Sequence, residues 1–313
     1  MAETLNLVNP EDKLSCKYNP SNFPDGQQSI TIIEDGYNTF DRLKGQTHGI
    51  TIKSRLNNFQ DLELIVCAAQ ALKEIGVKTI NLYIPYCTGG RSDRKFGEGG
   101  VNYIKNVIAP IINLQGFNEV TIMDPHSDVL EACINNFKKI DNLKVVRFAL
   151  MEYFRENGII ISDYSKLRLL SPDAGALKKI FAVAEGIGYE NEIIIAAKHR
   201  DPKTGKITHT SVPMSTNDAD KDIFIIDDIC DGGRTFIEVA KAVKEVRSLS
   251  SSVQPENYGK IYLVVTHGIF SNGFNELGDY FDGIYCTNSI KDIPNAGTNS
   301  TLKPINLKQL NVF

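Results

Sequence analysis

The sequence predicts an α/β fold in two domains, each a mainly parallel sheet flanked by helices. Three observations carry that prediction. Short β-rich apolar runs alternate with segments whose apolar residues repeat at helical spacing. Strand–helix alternation feeds parallel sheets covered on both faces. The 313 residues are enough for two domains that each bury a core.

The candidate strands, in order, are residues 30–33, 80–84, 119–123, 145–148, 167–170, 192–196, 223–226 and 261–266. The first long helix is predicted over 62–75, where Leu62, Ile65, Val66, Ala69, Leu72 and Ile75 form one stripe and Gly76 stands just beyond as a stop. A second helix spans 103–114, ends before Gly116 and contains Pro110, which is expected to kink it. A third runs over 175–184, ahead of Glu185-Gly186-Ile187-Gly188. A fourth covers 236–246, with Phe236, Ala240 and Val243 at helical spacing. The polar junction at 151–163 sets the expected boundary, giving domains 1–150 and 151–313. A second polar stretch, 198–221, is long for a connection and reads as a functional loop or lid.

Composition narrows the function classes. The hydrophobic share of 42% and charged share of 23% are those of a soluble globular protein. With 34 basic against 38 acidic residues, nothing suggests a nucleic-acid surface. The six cysteines are scattered without a C-x-x-C pair, so reduced thiols in a cytoplasmic protein are expected rather than disulfides or a zinc site. No signal pattern opens the sequence, and no apolar run approaches membrane-spanning length, so no membrane partner is expected.

The most informative segment is Asp227-Asp228-Ile229-Cys230-Asp231-Gly232-Gly233-Arg234-Thr235. It lies between the apolar run at 223–226 and the helix at 236–246. A strand, a glycine-rich turn and a helix start make a phosphate cradle, because glycines admit an anion to the backbone and first-turn N–H groups point at it. Ionised carboxylates only accept hydrogen bonds, so two adjacent acids suit a ligand that also offers hydroxyls. A phosphorylated sugar fits both halves. The plain alternative is that Asp231 caps a helix and the other acids are solvated.

Ligands of open parallel sheets bind beyond the carboxyl ends of the strands. Asp124-Pro125-His126, Ser171-Pro172-Asp173 and Lys198-His199-Arg200 all follow predicted strands in this way. Carboxylates, a histidine and two cations beside a phosphate cradle are the equipment for Mg2+-assisted chemistry on phosphates.

In these segments the chain resembles the ribose-phosphate pyrophosphokinase family, also called phosphoribosyl pyrophosphate synthetases, in order from about residue 23 to 290. Phe23-Pro24-Asp25-Gly26-Gln27 is similar to the family's F-x-D-G-E loop, which contacts the adenine of ATP from a neighbouring subunit. Pro85-Tyr86 with Arg91-Ser92-Asp93-Arg94-Lys95 resembles P-Y-A-R-Q-D-R-K at the ATP site. Met123-Asp124-Pro125-His126 matches M-D-x-H, and Ser171-Pro172-Asp173 matches S-P-D. Lys198-His199-Arg200 stands where the family has K-R-R, opening its catalytic loop, and 227–235 matches its ribose 5-phosphate loop. Thr266-His267-Gly268 and Thr287-Asn288-Ser289 also look like late family segments.

The resemblance implies two similar phosphoribosyltransferase-like domains, the first binding ATP and serving assembly, the second binding ribose 5-phosphate. It implies transfer of the β,γ-diphosphoryl group of ATP to the sugar's anomeric hydroxyl, with Mg2+ as cofactor and a homo-oligomer whose minimum unit is a dimer. Lys198 and Arg200 become the catalytic cations. Asp227, Asp228, Asp231, Gly232, Gly233, Arg234 and Thr235 would bind the sugar phosphate. Phe23, Asp25, Gln27, Arg91, Ser92, Asp93, Arg94 and His126 would bind ATP, and His126 and Asp173 would serve the metal.

The chain also departs from the family. Cys87-Thr88-Gly89-Gly90 occupies more chain than the family's single residue, Ser92 and Gln27 replace glutamine and glutamate, and His199 replaces arginine. Asp231-Gly232-Gly233-Arg234-Thr235 differs from D-T-A-G-T, and the segment before Phe23 is short for the family's opening strand and helix. Two other readings are a phosphoribosyltransferase that consumes the same activated sugar and a non-catalytic regulatory subunit.

Overall fold

A computed structural model describes residues 3–13, 15–34, 39–45, 49–200, 207–294 and 306–313. The chain divides into two compact units, Met1–Asp141 with Val312–Phe313, and Asn142–Asn311. The boundary expected at 150 instead falls inside a helix, because the polar residues after 151 continue a helical turn rather than open a linker.

The first unit holds a five-stranded parallel sheet: β1 (Glu3–Asn6), β4 (Ile50–Lys53), β5 (Ile80–Tyr83), β6 (Glu119–Met123) and β7 (Phe137–Ile140), in that order. The segment before Phe23 therefore does supply a strand, with Glu3 opposite Ile50. An antiparallel hairpin, β2 (Tyr18–Asn22) and β3 (Gln28–Ile32), follows it.

Helix α1 (Thr39–Lys44) precedes β4, and α2 (Phe59–Glu74) follows it. Helix α2 starts on a capping box: the Asn58 side chain accepts from Asp61 N at 3.0 Å, and Asp61 Oδ2 accepts from Asn58 N. Its buried stripe of Leu62, Ile65, Ala69 and Leu72 joins Leu5, Ile50, Ile52 and Leu82 in the core. Helical backbone runs through 103–114 as expected, and Pro110 is accommodated by an irregularity just before it. The proline sits in the first turn of α3 (Ala109–Leu114), after a wider turn at Ile104–Ile108, where its missing N–H costs little. A short α4 (Val129–Cys133) follows β6.

The second unit opens with α5 (Leu143–Asn157), which overturns the strand expected at 145–148. Val145 and Val146 favour strands locally, yet the buried positions continue as Ala149, Leu150, Tyr153 and Phe154, a helical stripe. Its sheet is six-stranded and parallel: β15 (Leu307–Leu310), β14 (Gly283–Thr287), β13 (Ile261–Gly268), β12 (Asp222–Cys230), β8 (Leu167–Ser171) and β9 (Ile194–Ile195). Helices α6 (Leu177–Ile187), α7 (Arg234–Ser248) and α8 (Asn275–Tyr280) connect these strands. The core gathers Ile223, Ile225, Leu263 and Val265 from the sheet with Phe236, Ala240 and Val243 from α7.

The stretch 198–221 is not one extended loop. It begins as an antiparallel hairpin of β10 (Ala197–Arg200) and β11 (Ile207–Ser211) and ends in a turn whose Asp218 pairs with Arg168 at 2.7 Å. Residues 201–206 of the expected lid lie outside the described residues.

Candidate functional site

Strand β12 is longer than its apolar run, because β13 continues to pair with it through Asp227, Ile229 and Cys230, whereas β8 stops at Ile225. Asp227 and Asp228 therefore lie on the strand, and only Asp231-Gly232-Gly233 forms the turn into α7. Gly233 has φ +83°, so the backbone there favours glycine, and a Cβ would stand 2.9 Å from Leu277 Cδ2, the end of a side chain that would have to shift. The loop after β13 braces the turn: Ser271 N donates to Asp231 O and Asn272 Nδ2 donates to Gly232 O, both at 3.2 Å. Arg234, exposed, and Thr235, half-buried, open α7, and their N–H groups precede the first bonds of the helix, which Phe236 N and Ile237 N make to Gly233 O at 3.0 Å.

Three carboxylates and two lysines converge beside this turn. Asp173 follows β8 and caps the next turn, its Oδ1 accepting from Gly175 N at 2.9 Å and Ala176 N at 3.3 Å. Lys198 Nζ, from β10, donates to Asp173 Oδ2 at 2.6 Å. Lys179 Nζ, from α6, donates to the buried Asp228 Oδ2 at 2.6 Å. Asp227 Oδ1 accepts from Asp228 N at 2.8 Å.

The electrostatics differ among the acids. Burial would raise Asp173, but the hydrogen bond and charge of Lys198 and two backbone N–H groups outweigh it and hold the carboxyl below its ordinary value. Burial first, and then the charge of Asp228 and of Asp173, lift Asp227 to about 7 despite Lys179. Excess negative charge of this kind suits a hard, oxygen-seeking dication. Among the described residues no group of three or more His, Cys, Asp or Glu is placed to hold a metal ion.

Lys179 was not legible as a site residue. Its only signal is phase: it stands one turn before the buried Val183 on α6. Arg200 ends β10 opposite Ile207. The late segments form a buried polar network, with His267 Nδ1 and Ser289 Oγ 2.9 Å apart and Thr287 Oγ1 donating to Thr266 O at 2.6 Å.

In the first unit, Phe23, Asp25 and Gln27 occupy the exposed tip of the β2–β3 hairpin. Phe23 N donates to Gln27 O, Gly26 N to Phe23 O, and Gln27 N to Asp25 Oδ1. The ring of Phe23 is 51% exposed, an apolar face available to a partner.

Arg91, Ser92, Asp93 and Arg94 lie in the loop after β5. Ser92 N donates to Gly89 O, Asn102 Nδ2 to Asp93 O, and the Arg94 guanidinium lies over the Phe96 ring at 5.7 Å. The extra residues before this loop are packed: Cys87 is buried, its thiol pushed up to about 12 by that burial, and Thr88 N donates to Leu56 O. His126 is exposed just beyond β6, after Asp124, a buried non-glycine at φ +42°. Backbone held in that region marks a conformation the surroundings impose, and such positions gather at ligand sites. Asp173 lies in the second unit, and each half of the expected metal pair is positioned by its own sheet.

Comparison with known proteins adds family evidence. Residues 136–253 match the phosphoribosyl transferase domain. A ribose-phosphate pyrophosphokinase of Pyrococcus furiosus is 30% identical over 278 residues, covering 86% of this chain and 84% of that protein. One from Mycoplasmopsis pulmonis is 29% identical over 253 residues, covering 80% and 71%. The crystal structure of phosphoribosylpyrophosphate synthetase from Mycobacterium smegmatis superposes with a TM-score of 0.72 at 16% identity, covering 99% of this chain and 94% of that one, a likeness of fold. No helix among the described residues is long and apolar enough to cross a membrane.

Proposed function

The chain belongs to the ribose-phosphate pyrophosphokinase family, and from that premise we propose that it transfers the β,γ-diphosphoryl group of ATP to ribose 5-phosphate, releasing AMP. The observation that carries this reading is the turn at 231–235, with its enforced left-handed Gly233, standing beside a lysine-paired cluster of acids. The second unit takes the sugar phosphate. Gly232, Gly233, Arg234 and Thr235 hold the 5-phosphate through N–H groups, guanidinium and hydroxyl, while Asp227, Asp228 and Asp231 face the ring hydroxyls. The first unit takes ATP through Arg91, Ser92, Asp93, Arg94 and His126, and Phe23, Asp25 and Gln27 reach the adenine of a neighbouring subunit, so the working unit is at least a dimer.

Fixing the sugar on a rigid turn aligns its anomeric oxygen with the β-phosphorus, and that alignment supplies much of the rate. A new O–P bond forms there, the bond from the β-phosphorus to the α–β bridging oxygen breaks, AMP leaves with that oxygen, and the hydroxyl proton passes to water. Lys198 and Arg200 stabilise charge developing on the β-phosphoryl oxygens. Mg2+ would neutralise phosphate charge when bound, with His126 in the first unit and Asp173 in the second as the residues proposed to serve it, directly or through water. Lys198 pairs with Asp173 and so stands within the acidic cluster. Six free cysteines, four of them buried, support a reducing, cytoplasmic setting.

Phosphorus NMR of the protein with ATP, ribose 5-phosphate and Mg2+ tests the proposal. AMP together with a new anomeric diphosphate resonance supports it. ADP in place of AMP would mean transfer of a single phosphoryl group and would overturn it.

A further inference from the structure

On the β10–β11 hairpin, His199 and His209 are direct cross-strand partners. Their imidazole rings stack with centroids 4.0 Å apart and planes 2° from parallel, and both side chains are exposed. The pairing is pinned on one side by a register shift between His199 and Arg200, where Thr208 Oγ1 donates to His199 O at 3.1 Å. A bulge of this kind fixes which residues oppose each other. The other side is held by His199 Nε2 and Ser211 Oγ, 3.0 Å apart. Lys198, the preceding residue, projects to the opposite face by strand alternation and meets Asp173 there. The histidine pair thus stands behind the proposed catalytic lysine and outside the chemistry assigned to it.

Two imidazole nitrogens bound at about 2.0–2.1 Å to one dication, at a right angle, lie about 3 Å apart. A dication must lie along the in-plane lone pair of each nitrogen, so rings that stand parallel with centroids 4.0 Å apart would each turn by roughly 45° to converge on it, a rotation open to exposed side chains. We propose that His199 and His209 form a two-imidazole clasp for a nitrogen-preferring transition-metal dication, Cu2+ more tightly than Ni2+ or Zn2+, with water completing the shell. Mg2+, which prefers oxygen, does not compete for it. Occupancy ties β10 to β11 on the face opposite Lys198 and so restrains the hairpin that carries that residue.

Electron paramagnetic resonance of the full protein titrated with Cu2+, in saturating Mg2+, tests the clasp without reference to turnover. The wild type should bind Cu2+ with two equatorial nitrogens. His199→Ala and His209→Ala should each lose that signature and bind at least about tenfold more weakly, as bidentate attachment becomes monodentate. His209→Gln, which keeps the size and a polar end, should behave like His209→Ala. A wild type without the two-nitrogen signal, or variants that keep it at wild-type affinity, overturns the proposal. Neither result bears on the synthetase reading.

Discussion

Replacing Lys198 with alanine separates a catalytic cation from a structural one. Lys198 Nζ lies 2.6 Å from Asp173 Oδ2, with the lysine side chain 15% exposed and the aspartate 37%. Since the aspartate is more than a third exposed, solvent screening limits the pair to about 1 kcal/mol of stability. The sign of its pH dependence follows from the depressed Asp173 carboxyl: the stabilisation is present above the ordinary value of 3.8 and is lost as pH falls through the lower folded value. Loss of a charge that acts on the transition state is larger, about 100-fold in turnover or roughly 2.7 kcal/mol. The sugar-phosphate turn rests on β12, α7 and the loop after β13, so ribose 5-phosphate affinity should stay within about threefold, well under 1 kcal/mol. Initial rates with each substrate varied, alongside urea unfolding at neutral pH, read all three quantities. A turnover within a few-fold of wild type would refute the assignment, whatever happened to stability.

Gly233→Ala should cost about 2–4 kcal/mol in urea unfolding and weaken ribose 5-phosphate binding, since a left-handed alanine costs about 1 kcal/mol and its Cβ must displace Leu277; a change below about 0.5 kcal/mol would show that the turn simply rearranges. Asp227→Asn should gain on the wild type as pH rises. The wild-type carboxyl is lifted from 3.8 to about 7, so the stability it contributes is fully present below 3.8 and is lost as pH climbs through 7, while asparagine cannot ionise. Unfolding at pH 5 and pH 8 measures the gap, and a gap that fails to widen contradicts the reading. Lys179→Met should destabilise by about 2–3 kcal/mol by leaving the buried Asp228 short of its cation. A loss under about 0.5 kcal/mol would mean that the remaining surroundings of Asp228 suffice.

Local chemistry in the sequence was enough for the general alternation of strands and helices, the stop at Gly76, and the strand, glycine turn and helix start around 231–233, whereas the third helix runs three residues past its expected end at 184. Those features depend on side-chain period, on φ preference and on first-turn N–H groups, all properties of neighbouring residues. Strands β1, β4, β7 and β15 were all missed: Phe-Lys-Lys-Ile and Leu-Lys-Gln-Leu are only half-buried, and Glu-Thr-Leu-Asn and Ile-Thr-Ile-Lys are four-residue runs too short for their alternation to stand out. Tertiary structure alone decided the remainder. It carried β12 through Asp227 and Asp228 by pairing with β13, and folded 197–200 against 207–211. It also chose Lys198 for Asp173 and Lys179 for Asp228, partners 25 and 49 residues apart. Register and ion pairing are set by whichever distant segment packs alongside, and no residue carries that information in its own neighbours.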